Sequence, residues 1–587
     1  MRTASAPAVR LASRAAGAPR RTTRSKPRLG TGLVLGSYVV LSLLLFDPLL
    51  QHLSTKLLGT QDGVLFAWWV KEVPTALFHG HDPLLPGLLL HPHPVNAMWN
   101  TSVVLPAILM TPVTMTAGPI ATVNLLLVAS PAISAAAAYW MCRRFEASRP
   151  IAGLGGLLYG FGPYVVDESL GHPHVSLAWF PPVAIVVLRR ILVTQEGSAV
   201  RAGIILGVLA TAQLLCGEEI LASSAIMASV GVILLVLSHP HSVRERGRHA
   251  VVALATAAGI GGALMAGPLA VQLLGPNRPQ GRLLQTGRYV TDLVTFIAPT
   301  KMTLFDPLEL GHLATHVTGN LAEDGGYLGP PLLLLSAFVC WRGRRDSIVR
   351  WSVSMAAVAA LLSLGSRLHI DGHVTGIPLP WALLSRIPVL QDMLPSRLSV
   401  YVLLFLSLLV ARGLTGLALT LVTRFAVAAA VAASAVFLWP HRPISTAQQP
   451  PQPAFFTGDL VRTLPRSSLV VISPTPDSLD PYGMLWQVDA GMRFEILNGY
   501  AAPWADDYPQ DPTTLALDAI QQGRPLPSGV TTSSIRQDLQ ELGASAVVLG
   551  PGTAHLGVAE ELFTAVIGLP PVTTGGVTVW ILGPRWQ

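Results

Sequence analysis

Between Gln61 and Ser102 the side chains of Asp62, Glu72, His79, His81, Asp82, His91, His93 and Asn96 crowd together, while the flanking segments are almost uncharged. Carboxylates, imidazoles and amides hold polar ligands and exchange protons. Placed beside apolar runs they read as a membrane-surface site with Asp62 at its mouth, or as a large structured loop. Asp62-Gly63 opens a segment with apolar residues at Leu65, Phe66, Trp69, Val73, Ala76 and Leu77, the spacing of an amphipathic helix. Trp68 and Trp69 suit a helix lying at the level of lipid headgroups. Asp62 also suits an N-cap.

Further polar groups interrupt the apolar sequence. His172 and His174 lie in GHPH, as ligand-binding groups or as a helix end among headgroups. Glu218 and Glu219 are adjacent carboxylates between two apolar runs, with only Gly217 as a break, which points to function. The loop 275–330 carries Arg278, Arg282, Arg288 and Lys301 together with Asp292, Asp306, Glu309, Glu323 and Asp324. Its basic residues fit an anionic ligand such as a lipid phosphate, or ion pairing within the loop. The Pro- and Gly-rich stretch 365–397 reads as a re-entrant element ending at Arg397.

These groups need elements to position them. Long uncharged runs recur from Thr31 to Pro440, each near the ~20 residues that cross a bilayer as a helix. Basic clusters fall at residues 1–28, Arg143/Arg144/Arg149, Arg189/Arg190/Arg201, Arg244/Arg246/Arg248, Arg342/Arg344/Arg345/Arg350 and Arg412/Arg424. With all of them cytoplasmic, spans fall near 31–50, 119–141, 151–168, 175–193, 201–217, 220–238, 250–274, 330–341, 351–365, 397–412 and 424–440. Residues 102–117 are left as a re-entrant or tilted half-helix ended by Gly118-Pro119; as a full span they would flip the side of Arg143/Arg144 or require one further element. Asp62, the GHPH turn, Glu218-Glu219 and the loops 275–330 and 366–396 then converge on the outer face.

After Pro440 the composition changes. Residues 441–587 hold seven Arg and no Lys against thirteen Asp and Glu, a net of −6, which leaves about +13 on the preceding part. The formal charge of +7 is therefore uneven and no sign of nucleic-acid binding. Cys142, Cys216 and Cys340 lie in or beside apolar spans and imply no disulfide framework. LVVIS, SAVVLG and TVWIL read as buried strands, TTLALDAIQQG and SSIRQDLQELG as helices each ended by Gly. The expected layout is a disordered basic cytoplasmic tail (1–30), a transmembrane domain (31–440), a linker (441–453) and an extracytoplasmic α/β domain (454–587). The α/β part has no nucleotide-binding glycine motif, no metal-spaced Cys/His set and no nucleophile elbow.

A basic N-terminus, one span and a long outer loop opening on an Asp and a juxtamembrane helix resemble the GT-C-type glycosyltransferases. In looser form, HPHPVNAMWNTS, FGPYVVDESLGHPHVSLAWFPP, YLGPPLLL and GIPLPWALLSRIPVLQDMLPSRL are similar to stretches of actinobacterial multi-span membrane proteins. The resemblance covers most of residues 31–415. It implies an α-helical polytopic membrane protein of about 11 transmembrane helices, GT-C-like, at the plasma membrane. It also implies transfer of a sugar from a polyprenyl-phosphate donor to a cell-envelope glycan, lipid or protein acceptor, with inversion. Asp62 is then the general base, and Arg282, Arg288, Lys301 and Arg397 are candidates to face the lipid phosphate. His172, His174, Glu218, Glu219 and Asp292 join them as substrate-binding candidates. Many members show paired acids in this loop, whereas Asp62 stands alone beside Gly63. A divalent metal, used by some members, has no assigned ligands here. A flippase of lipid-linked saccharides and an inactive scaffold of the same fold are the alternative classes.

Overall fold

The computed structural model describes residues 27–238, 240–279, 281–283, 285–304, 316–388, 390–415, 420–441, 447–502, 510–583 and 586. Most of the basic N-terminal stretch, Asp306, Glu309 and residues 442–446 of the expected linker lie outside them, as does the side chain of Arg244.

The protein is a helical membrane protein. Among the described residues, five helical stretches are long and apolar enough to cross a bilayer: Pro119–Arg144, Pro173–Thr194, Glu218–Ser238, Arg246–Leu274 and Pro395–Leu414. Gly30–Leu45, Ala199–Leu214, Ser347–Ser363 and Leu421–Phe437 are shorter apolar helices. The span expected at 151–168 is instead two helices, Arg149–Gly160 and Pro163–Glu168. Pro163 has no N–H to continue the ladder and drives Gly162 to an extended conformation, φ −72° and ψ 162°. Where a half-helix was expected, residues 104–117 form two short helices, Val104–Leu109 and Thr111–Ala117, the second ended by Gly118. The stretch 365–397 differs from expectation. It begins with an antiparallel hairpin of β1 (Arg367–Ile370) and β2 (His373–Pro378), most of whose residues are at least half-exposed.

The helix Thr60–His79 is the hub. It starts after Gly59 at φ +85°, where a Cβ would stand 2.4 Å from the Cα of Gly171, and it ends on Gly80 in the left-handed conformation. Gly59 is its N-cap, so Asp62 is not; the carboxylate sits one turn in, with its side chain available for other partners. Trp68 and Trp69 are fully buried rather than at headgroup level. Val64, Phe66, Ala67 and Val70 are buried with them, so the stretch 63–70 of this helix is covered on every side. The Trp68 indole N–H donates to Gln487 Oε1 at 2.6 Å, across 419 residues.

Gln487 belongs to the C-terminal α/β unit. Its sheet runs β4 (Glu495–Ile496), β3 (Leu469–Ser473), β5 (Ala544–Leu549), β7 (Val577–Ile581), β6 (Val572–Thr574), parallel from β4 to β5 and antiparallel thereafter. LVVIS and ASAVVL are buried at every position, as strands covered on both faces must be. The edge strand β4 is extended by the loop after the hub helix: Ile496 N–H donates to Leu88 O at 3.0 Å and His91 N–H to Ile496 O at 3.3 Å. Beside this join His91 Nδ1 meets Glu495 at 2.7 Å, and Asn100 Nδ2 donates to Ala502 O at 2.8 Å. Membrane part and α/β unit share one apolar core.

Candidate functional site

Gly59 and Gly171 touch backbone to backbone, and this contact brings the start of the Asp62 helix against the GHPH turn. His172 Nε2 lies 3.1 Å from Asp62 Oδ2, and its Nδ1 lies 2.7 Å from Glu168 Oε2. Glu168 is one helical turn back on the same segment, and the backbone N–H of His172 donates to its carbonyl at 2.9 Å. The other oxygen of Asp62 accepts the hydroxyl of Tyr500 at 2.8 Å. His174 is buried beside them, its ring stacked on Phe66 at 5.3 Å between centroids. Both histidines are buried within the protein.

Arg397 enters from the 3-10 turn Pro395–Leu398. Its Nη2 donates to Glu323 Oε1 at 2.6 Å, its Nε lies 3.4 Å from Glu168 Oε1, and its Nη1 bonds Glu219. Ser396 and the backbone N–H of Leu394 complete Glu323 and Glu219, at 2.9 and 3.0 Å. One guanidinium thus links the helix start at Glu218-Glu219, the loop 275–330 and the Glu168–His172 segment. Its planar fork suits this, since a point charge cannot satisfy three carboxylates at fixed angles.

Opposing forces set the protonation states. Burial lowers the affinity of His172 for a second proton, but its bonds to Asp62 and Glu168 and their charges reverse this and push its pKa up to about 10. Burial raises Asp62, yet His172, Tyr500 and Arg397 outweigh that and hold its carboxyl below the ordinary range. Glu323 is likewise drawn down by Arg397 and His172 against its burial. The resting arrangement is an ionised Asp62 beside an imidazolium.

A cavity of about 330 Å³ opens here, lined among others by Asp62, Asn100, His172, Glu219, Arg397 and Tyr500. Glu218 and His174 also line it. The side chain of Asp62 is 35% exposed, so part of its carboxylate faces the opening while both oxygens keep a partner. Arg282 and Arg288 are exposed and adjoin the lining residues Leu283 and Tyr289 at the rim. Lys301 is exposed and outside the lining. Asp292 is also outside it: buried, it accepts the backbone N–H groups of Val294, Asp371 and Gly372 at 2.9, 3.0 and 2.9 Å and pins the loop to the β1–β2 turn. Glu168, Glu323, Asn100 and Tyr500 were not singled out as site residues from sequence. The four-residue spacing of Glu168 and His172 on one helical face was the signal available for the first.

Glu168, His172 and Glu323 bring one metal-type donor each within 4.8 Å of one another. They do not fit a divalent ion. Arg397 already bridges the two carboxylates, and both ring nitrogens of His172 are taken up by Asp62 and Glu168.

No protein-family model matches the chain, and no curated protein does. Solved structures do. The arabinofuranosyltransferase AftD from Mycobacteria superposes with a TM-score of 0.53 and 15% identity, over 95% of this chain. The fold is of the GT-C type. The oligosaccharyltransferase AglB from Archaeoglobus fulgidus, solved with an inhibitory peptide and a dolichol-phosphate, aligns over 95% of this chain and 74% of its own, with 12% identity and a TM-score of 0.46. The present chain spans 40% of AftD. In this GT-C fold the Asp62 cavity lies where the membrane helices meet the α/β unit.

Proposed function

We propose that the protein transfers a sugar from a polyprenyl-phosphate-linked donor to a hydroxyl of a cell-envelope acceptor, at the outer face of the plasma membrane and with inversion. The observation that carries this reading is Asp62: an ionised carboxylate, oriented through both oxygens and partly open to a cavity, in a GT-C fold. The acceptor oxygen attacks the anomeric carbon and its proton passes to Asp62. The bond from that carbon to the phosphate oxygen breaks, and its electron pair leaves with the lipid phosphate. A carboxylate held below its usual pKa is a weak base at rest, but the hydroxyl becomes acidic as its bond to carbon forms, so transfer late in the step suffices. His172 keeps Asp62 ionised and fixed in direction. Arg397 and His172 supply the positive charge on the cavity wall, and Arg282 and Arg288 meet the phosphate at the rim. The acids and histidines of the cavity face outward when the basic clusters are cytoplasmic, which supports the sidedness.

The test is Asp62→Asn in membranes supplied with radiolabelled polyprenyl-phosphoryl sugars. Transfer into the envelope fraction should fall by ~10²–10⁴ with membrane insertion unchanged and only a small loss of melting temperature, since His172 keeps Glu168 as its other carboxylate partner. Transfer at the wild-type rate would remove Asp62 as the base. Chelators should leave wild-type transfer unaffected, because Arg397 and His172 stand where a metal would.

A further inference from the structure

A second cavity, of about 550 Å³, is cut into the membrane part on the far side of Tyr401. Its walls come from Pro181–Val193, the helix Glu218–Ser238, the helix Ser347–Ser363, and Tyr401 and Phe405 of the helix Ser399–Leu414. Met227, Gly231, Met355 and Phe405 make it apolar along its length. At one end Tyr401 closes it, its hydroxyl bonded to Ser223 and Ser224 at 2.8 and 2.9 Å, one turn from Arg397. At the other end stand Arg189, Arg246 and Arg350. Among the described residues no carboxylate lines this cavity. The printed partners of Arg189 and Arg246 are the neutral carbonyls of Arg144 and Val193, and Arg189 also lies over the ring of Phe145 at 4.8 Å.

We infer that this groove is a binding site for a phospholipid with an anionic headgroup, its phosphate held by Arg189, Arg246 and Arg350 and one acyl chain running inward to Tyr401. The dimensions agree. From Ser224 to Ser238 the lining helix rises ~20 Å, against roughly 15 Å for the hydrocarbon of one leaflet. The charge agrees as well. Three guanidiniums in a lining without a carboxylate match a phosphate diester, and basic pockets between helices at the cytoplasmic level select anionic lipids. A zwitterionic headgroup would place its own ammonium among the arginines. The sugar donor is not this lipid, because the proposed phosphate position for the donor lies at the opposite end, beyond Arg397. The inference rests on the groove alone, whatever reaction the Asp62 cavity performs.

The test uses the full-length protein purified in mild detergent and reconstituted into phosphatidylcholine bilayers with or without phosphatidylglycerol. Phosphatidylglycerol should raise the melting temperature of the wild type and remain on it, by mass spectrometry, after detergent exchange. Arg246→Gln/Arg350→Gln changes two exposed residues and should fold normally; at about fivefold per arginine, it should weaken retention roughly 25-fold. Ala228→Trp, which fills the groove from its half-buried wall, should abolish retention with the arginines intact. Equal retention of phosphatidylcholine, or phosphatidylglycerol retained by the double arginine variant as by the wild type, would overturn the proposal. So would the same thermal shift from glycerol phosphate alone, which would show a phosphate site without an acyl chain.

Discussion

The hydroxyl of Tyr500 donates to the carboxylate of Asp62 at 2.8 Å, joining residues 438 positions apart. Asp62 lies in the first turn of the hub helix, and Tyr500 follows the edge strand of the α/β unit. The α/β unit is therefore part of the site wall. Its docking through Trp68–Gln487, His91–Glu495 and Asn100–Ala502 fixes where Tyr500 points.

Removing that hydroxyl should show in the pH profile more than in stability. In Tyr500→Phe, Asp62 loses one of the bonds that hold its pKa down. The acid limb of the rate profile should move to higher pH, and the maximal rate should fall about tenfold, the worth of a hydrogen bond to a charged group. An unshifted limb would mean that Tyr500 only packs.

His172 makes stability depend on pH in one direction. Its folded pKa of about 10 exceeds the ordinary 6.5 of a free imidazole. The stabilisation is complete below about 6.5 and is lost as pH rises through about 10. The melting-temperature gap between wild type and His172→Gln should be widest near pH 6 and shrink steadily toward pH 10. A gap that grows with pH would refute the imidazolium.

Arg397 is flanked by carboxylates with almost no access to water; the Glu168 and Glu323 side chains are 1% and 3% exposed. Arg397→Gln leaves these acids buried without their cation, at a cost of ~3–5 kcal/mol. Thermal unfolding should show a large drop, and pairing it with Glu323→Gln should recover part of it. An unaltered melting temperature in the single variant would show that the arginine does not hold the acids.

Gly59 is tested by its smallest replacement. Gly59→Ala combines a left-handed φ with a Cβ driven into Gly171. The two segments must separate, carrying Asp62 away from His172. Transfer should fall even in the fraction of protein that remains folded, whereas Gly32→Ala, in open space on the first helix, should change neither.

Sequence made some of this visible and hid the rest for identifiable reasons. LVVIS, SAVVLG and TVWIL stood out because β-branched runs bounded by turn residues have few other uses. Asp62 and Glu218-Glu219 stood out because acids beside apolar runs are rare. Trp68 and Trp69 were misread as interfacial because nothing local reveals that Gln487 covers them. Tyr500 carried no signal, since its role depends on a partner at the other end of the chain. Glu323 was one acid among several in a loop, and only folding shows that it, rather than Asp292, meets Arg397.

The reliance of Asp62 on Tyr500 has a consequence for how the protein is made. Synthesis runs from the N-terminus, so every membrane helix has left the ribosome before Tyr500 is translated. Until then the aspartate lacks one of its two side-chain partners, and Trp68 has no amide to bond. The nascent chain can sit in the bilayer with the wall of its Asp62 cavity unfinished. Completion waits for the α/β unit to be delivered and to fold against the loop after the hub helix.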